Sequence, residues 1–135
     1  MKSEFLVVLT LAALSPACVL DADPDPSVVV TSRSRLVVDW TIQGSADPDL
    51  CRVTDAKTLS VVVTTLSGRF VGDFRQSCAA FAAAIDLRPG DYLADAVLLD
   101  AFGDERTTPV LIDPFTLFGG DELVIYIDFP ARSFY

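Results

Sequence analysis

The 135-residue chain contains no histidine and no asparagine, and these two absences remove more chemistry than any motif adds. Without histidine there is no Ser-His-Asp or Cys-His arrangement to activate a nucleophile, and no histidine-containing zinc site. Basic residues are scarce: ten Lys and Arg face nineteen Asp and Glu, leaving a net charge of −9. No basic stripe is present to neutralise phosphates, which argues against nucleic acid as a partner. The same deficit disfavours electrostatic docking on anionic lipid. A glycine-rich phosphate loop is missing as well, because the seven glycines stand singly apart from Gly119 and Gly120. The gaps together predict a protein that is not an enzyme and that needs no cofactor and no metal.

What is present begins at the N-terminus. Lys2 precedes an apolar stretch from Phe5 to Leu14, and Ser15, Pro16 and Ala17 follow before Cys18. That order predicts a secretory signal peptide over residues 1–17. The apolar stretch is about half the ~20 residues a membrane-spanning helix needs. Two processing routes fit the site. Ser15 and Ala17 have the small-residue spacing of ordinary signal peptidase cleavage, which would free the mature protein into the periplasm or the medium as a carrier, inhibitor or adhesin subunit. The same residues resemble the lipobox of bacterial lipoproteins, although Leu14 stands one place further from the cysteine than the family's usual leucine and Pro16 is an uncommon occupant. That resemblance implies a thioether-linked diacylglycerol and an acylated, palmitate-labelled amine on Cys18. At ~0.8 kcal/mol per buried CH2, several acyl chains hold a protein on a membrane essentially permanently. Val19, where an aspartate would retain the protein in the inner membrane, resembles lipoproteins sorted to the outer membrane.

Removal of residues 1–17 leaves 118 residues, enough for one domain with a core and too few for two. Residues 18–26 form an acidic, proline-rich linker whose Asp21 to Pro26 stretch cannot bury apolar surface. In polyproline II geometry it would lift a domain ~15 to 20 Å off a membrane. An exported chain with three cysteines has one too many for internal pairing. Lipidation would use Cys18 and leave Cys51 and Cys78 to form a disulfide in an oxidising envelope. Such a bridge closes a loop of about 27 residues and contributes ~3.5 kcal/mol in the chain-entropy account.

Residues 27–135 read as an all-β domain. Leu36, Val38, Trp40 and Ile42 alternate with Val37, Asp39 and Thr41, the period of a half-buried strand. The pattern recurs in Leu59/Val61/Val63, in Phe70 to Phe74, in Phe81/Ala83/Ile85/Leu87, in Val110/Ile112 and in Leu123/Ile125/Ile127/Phe129. Tyr92 to Leu99 alternates less cleanly and predicts a strand covered on both faces. Residues 27–31 are a further candidate opening strand. Alanine propensity pulls residues 79–84 towards helix, but the alternation through Leu87 favours strand. Turn clusters at residues 44–48, 88–91 and 103–105 separate the segments, which predicts an antiparallel sandwich of seven or eight strands.

Leu87-Arg88-Pro89-Gly90-Asp91-Tyr92 resembles the tyrosine corner of immunoglobulin-like sandwiches, in which the tyrosine hydroxyl bonds back to the preceding turn. It is similar also to stretches in transthyretin-like and carboxypeptidase-regulatory-like modules. The wider pattern of Leu36 to Gly44, Cys51, Cys78, the Pro-Gly-x-Tyr turn, Ile127 to Pro130 and Ser133-Phe134 resembles a group of small uncharacterised bacterial envelope lipoproteins. The resemblance implies an envelope location and an Ig-like or transthyretin-like sandwich, and no activity. Trp40 precedes Cys51 instead of lying between the two cysteines, so the disulfide is expected to tie a loop to a strand edge and not to cross the centre of the sandwich.

Three further clusters invite a functional reading. Asp47-Pro48-Asp49 and Asp100 to Glu105 offer oxygen ligands, but without the spacing of an EF-hand they read as solvated turns. Lys57 and Ser60 are a nominal nucleophile pair whose i, i+3 spacing is informative only on a helix. Ser133-Phe134-Tyr135 resembles the aromatic C-terminus of outer-membrane barrels, yet Pro130 interrupts the required strand and core packing of Phe129 and Phe134 is the better account.

Overall fold

The computed structural model describes residues 33–135. The signal-like stretch, Cys18, the linker and the candidate strand at 27–31 lie outside the described residues. Within them, seven strands build two sheets: β1 (Ser34–Ile42), β2 (Thr58–Thr65), β3 (Phe70–Ser77), β4 (Ala82–Leu87), β5 (Gly90–Leu99), β6 (Val110–Leu117) and β7 (Glu122–Phe129). One sheet has the order β4-β1-β7 and the other β3-β2-β5-β6.

The period-two pattern does what it predicts. Leu36, Val38, Trp40 and Ile42 on β1 are buried, as are Leu59, Val61 and Val63 on β2 and Ala83, Ile85 and Leu87 on β4. These inward rows join Ala94, Ala96, Leu98, Leu117 and Phe129 in one core. Small alanines share that core with Trp40 and Phe129, so large and small residues alternate between the layers. β5 lies between β2 and β6; it is buried without interruption from Ala96 to Leu99, as expected for a strand covered on both faces, but from Tyr92 to Asp95 buried and half-buried residues alternate, so its first half is covered on one face only.

One expectation needs correction: the sandwich is not antiparallel throughout. β1 pairs with β7 in parallel, from Arg35 opposite Glu122 to Ile42 opposite Phe129, while the other pairs are antiparallel. The reason is parity. Each connection reverses the chain, so odd-numbered strands run one way and even-numbered strands the other. Setting β7 beside β1 places two odd strands together.

Residues 79–84 also divide differently from the strand reading. Cys78–Ala80 form a 3-10 turn, Phe81 follows with φ of 56°, and only then does β4 begin. A turn is needed there because the chain passes from the edge of one sheet to the edge of the other. The cluster at residues 44–48 resolves into two features. Gln43 and Gly44, with φ of 53° and 78°, close a tight turn between Ile42 and Ser45, positive at both central positions as in a type I′ hairpin. Pro48–Val53 then form a short helix, α1, with Asp47 as N-cap and proline in the first turn. Gly72 in β3 has a separate cause: a Cβ there would sit 2.7 Å from the Phe74 ring, which lies against the strand. Among the described residues no helix is long and apolar enough to cross a membrane.

Candidate functional site

The disulfide is formed. Cys51 on α1 and Cys78 in the 3-10 turn are bonded, with their Cα atoms 6.0 Å apart, and both are buried. The bridge therefore clamps the β1–β2 connection to the β3–β4 connection at one end of the sandwich, away from its centre. Trp40 braces the same junction: its Nε1–H donates to the Cys78 carbonyl at 3.2 Å, and its ring lies 6.1 Å from that of Phe81. Backbone bonds complete the clamp, with the Cys78 amide donating to the Lys57 carbonyl and the Ala56 amide to the Cys51 carbonyl, each at 2.9 Å.

Tyr92 sits at the opposite, inward-facing start of β5. Its hydroxyl donates to the Arg88 carbonyl at 2.6 Å, the back-bond of a tyrosine corner. The ring is 7% exposed and lies 5.8 Å from Phe115.

The other sequence candidates are occupied by their own surroundings. The Asp47 carboxylate accepts from the Asp49 amide at 3.0 Å as a helix cap, and Asp49 pairs with Arg52 at 3.6 Å. Asp100 folds its carboxylate onto the Phe102 and Asp104 amides at 2.8 and 2.9 Å. Among the described residues no group of three or more Cys, Asp or Glu converges to hold a metal. Lys57 is exposed just ahead of β2, whereas Ser60 is buried within it. Ser60 Oγ donates to Asp73 Oδ1 at 2.5 Å, and Arg75 holds the other oxygen at 3.0 Å. Burial works to raise the Asp73 pKa, but the bonds from Arg75 and Ser60 and the Arg75 charge outweigh it and hold the carboxyl below its ordinary range. A carboxylate so stabilised is a poor base for activating Ser60. At the C-terminus, Phe129 is fully buried, Phe134 bridges to Thr107 and the Ser133 hydroxyl donates to the Pro130 carbonyl at 2.7 Å, so Phe129 and Phe134 pack on the domain.

Two features escaped the sequence. A shallow cleft of about 390 Å³ on the outer face of the four-stranded sheet is lined by Val62, Leu93, Asp95, Leu111 and Asp113. Burial among those apolar side chains pushes the Asp95 carboxyl above its ordinary value. The other is Asp128, whose Oδ1 accepts from Thr41 Oγ1 at 2.7 Å and from the Gly44 amide at 2.8 Å, fastening β7 to the Gln43-Gly44 turn. Alternation would have placed Asp95 on the outward face, but only the fold brings Leu111 beside it.

Comparison with known proteins adds little. No protein-family model matches the chain, and no curated protein matches it. Among solved structures it is similar to a leucine-rich repeat protein from Bacteroides thetaiotaomicron VPI-5482, at 14% identity and a TM-score of 0.43. The match covers 97% of this chain, which spans 16% of that protein's chain. A likeness of that degree assigns no function.

Proposed function

We propose that the protein is an exported, non-catalytic β-sandwich, anchored to the cell envelope through lipid on Cys18 and acting there as a binding or structural module. The observation that carries this reading is the Cys51–Cys78 bond. With those two thiols joined, Cys18 is the odd cysteine of an exported chain, placed where lipidation would consume it. The acidic linker would hold the sandwich clear of the lipid surface, and Val19 favours the outer membrane as its destination.

The sandwich itself is of immunoglobulin type in this reading. β1, β2, β3, β4, β5 and β6 take the places of strands B, C, C′, E, F and G, since β1 pairs with β4 and the other sheet runs β3-β2-β5-β6. Tyr92 then opens strand F, where the corner belongs. β7 occupies the position beside B that strand A fills in those domains, but runs parallel to its neighbour.

Labelling cells with radioactive palmitate tests the anchor. Label on the wild-type protein and none on Cys18→Ser, together with loss of membrane partitioning in that variant, is the expected result. An intact mass showing an unmodified Cys18 amine and thiol would replace this reading with the freely secreted one.

A further inference from the structure

Four strands bound the two sheets: β4 and β7 in one, β3 and β6 in the other. Exposed edges are templates for pairing with another chain, and proteins usually guard them. β3 carries Asp73 and Arg75, joined to each other at 3.0 Å. β4 is short, six residues, with Asp86 paired to Arg35. β6 holds Asp113 and Pro114 at a register shift opposite Leu93. β7 is the least guarded: its two charges, Glu122 and Asp128, stand at its ends. It is eight residues long and runs Leu123-Val124-Ile125-Tyr126-Ile127 without proline, glycine or a basic residue.

The direction of its open hydrogen-bonding groups follows from the ladder. The Asp121 and Phe129 carbonyls face β1, accepting from the Arg35 and Gln43 amides at 2.9 Å. By alternation, the odd-numbered residues between them turn their backbone groups towards β1, and Glu122, Val124, Tyr126 and Asp128 turn theirs outwards. No strand among the described residues pairs with that side. Beneath it lies a groove of about 470 Å³ between β6 and β7, floored by Ile112, Phe115, Leu123, Ile125 and Ile127. The inward side chains of β7 are only half-buried there.

We infer that the β7 edge binds an extended peptide segment of a partner protein by strand addition, with the partner's alternate apolar side chains entering the β6/β7 groove and its basic residues meeting Glu122 and Asp128. This deepens, and rests on, the reading of the protein as a binding module. Charge selects the occupant. Glu122 and Asp128 are exposed at the two ends of the apolar run, Asp128 offering Oδ2 because Thr41 and the Gly44 amide both bond Oδ1; Asp121 adjoins one end and Asp113 lines the groove. No basic residue lines that groove, and Arg35, the neighbour of Glu122 on β1, is committed to Asp86. A second copy would bring the same acids and a further net charge of −9, so a partner of opposite sign fits better. Spacing then defines the motif. Glu122 and Asp128 share the outward face and stand about 20 Å apart along the strand. The complementary segment has Lys or Arg at its first and seventh positions and apolar residues at its second, fourth and sixth.

The capped peptide Lys-Val-Thr-Val-Thr-Val-Lys, titrated into the 15N-labelled mature chain carrying Cys18→Ser, tests this. The expected result is slowed hydrogen exchange at the Val124 and Tyr126 amides, with about tenfold weaker binding of the same peptide flanked by Glu. Val124→Pro removes one outward donor without touching a β1 bond, so it should stay folded and lose the peptide. Shifts confined to other strands or loops would overturn the edge assignment and leave the binding-module reading standing. No binding of the lysine peptide, equal binding of the glutamate peptide, or Val124 and Tyr126 amides already protected without peptide would each overturn the inference. Failure of the lipid-anchored reading is seen separately, in the Cys18 labelling.

Discussion

Breaking the Cys51–Cys78 bond removes a large share of the domain's stability. The bridge closes a 27-residue loop, which in the chain-entropy account restricts the unfolded state by ~3.5 kcal/mol. Domains of this size are held by about 5 to 15 kcal/mol, so the reduced protein keeps between a third and three quarters of its margin. Reduction leaves both sulfurs in place. Cys51→Ala with Cys78→Ala removes them as well, from sites 6% and 1% exposed, and the voids add roughly 1 kcal/mol more. With a urea slope of about 1.5 kcal/mol/M, reduction lowers the midpoint by ~2.3 M and the double variant by ~3 M. The assay is urea unfolding followed by fluorescence of Trp40, which abuts the bridge through Cys78. Cys18→Ser is the background, so that no third thiol can exchange. Oxidised and reduced midpoints within ~0.5 M of each other would refute the entropic clamp, as would a double variant more stable than the reduced protein.

Three further outcomes follow from single contacts. Tyr92→Phe keeps the ring against Phe115 but abandons the Arg88 carbonyl; a loss of ~1 kcal/mol in urea unfolding is expected, and an unchanged midpoint would deny the corner a stabilising role. Trp40→Phe removes the donor to Cys78 and leaves a space in the core; ~2 to 4 kcal/mol should be lost, read by calorimetry because the variant has no tryptophan. Asp95 is raised above 3.8 by burial, so the folded state binds its proton more tightly than the unfolded state does. Stability should therefore fall as pH rises from that value through the raised one, and Asp95→Asn should flatten this part of the pH profile. An identical slope in the variant would show that the cleft does not desolvate the carboxyl.

Much of the sandwich was legible because a sheet with one wet face writes its burial into every second residue. β1, β2 and β7 announce themselves this way, and Tyr92 could be placed from its turn alone. The parallel β1–β7 pairing was not legible, since alternation tells which face a residue takes and nothing about its neighbour strand. α1 was missed although Asp47-Pro48-Asp49 carries both a cap and a first-turn proline, because six residues give too little periodicity to outweigh a turn reading. The disulfide was inferred from parity and compartment, and its position off the centre from the order of Trp40 and Cys51. The Asp95 cleft, the Asp128 clamp and the sparsely guarded β7 edge depend on residues distant in the chain becoming neighbours, which local pattern does not encode.

The pairing of β1 with β7 also sets the order in which the domain can assemble. β1 leads the described domain, yet one side of it must wait for β4 and the other for Glu122–Phe129. Contacts of such long sequence separation form late and slowly. The 27-residue disulfide loop can close well before then. Until β7 arrives, the edge of β1 that it pairs with keeps its backbone donors and acceptors unpaired. Truncation before Glu122 should leave that edge open for good, a template for pairing with other chains.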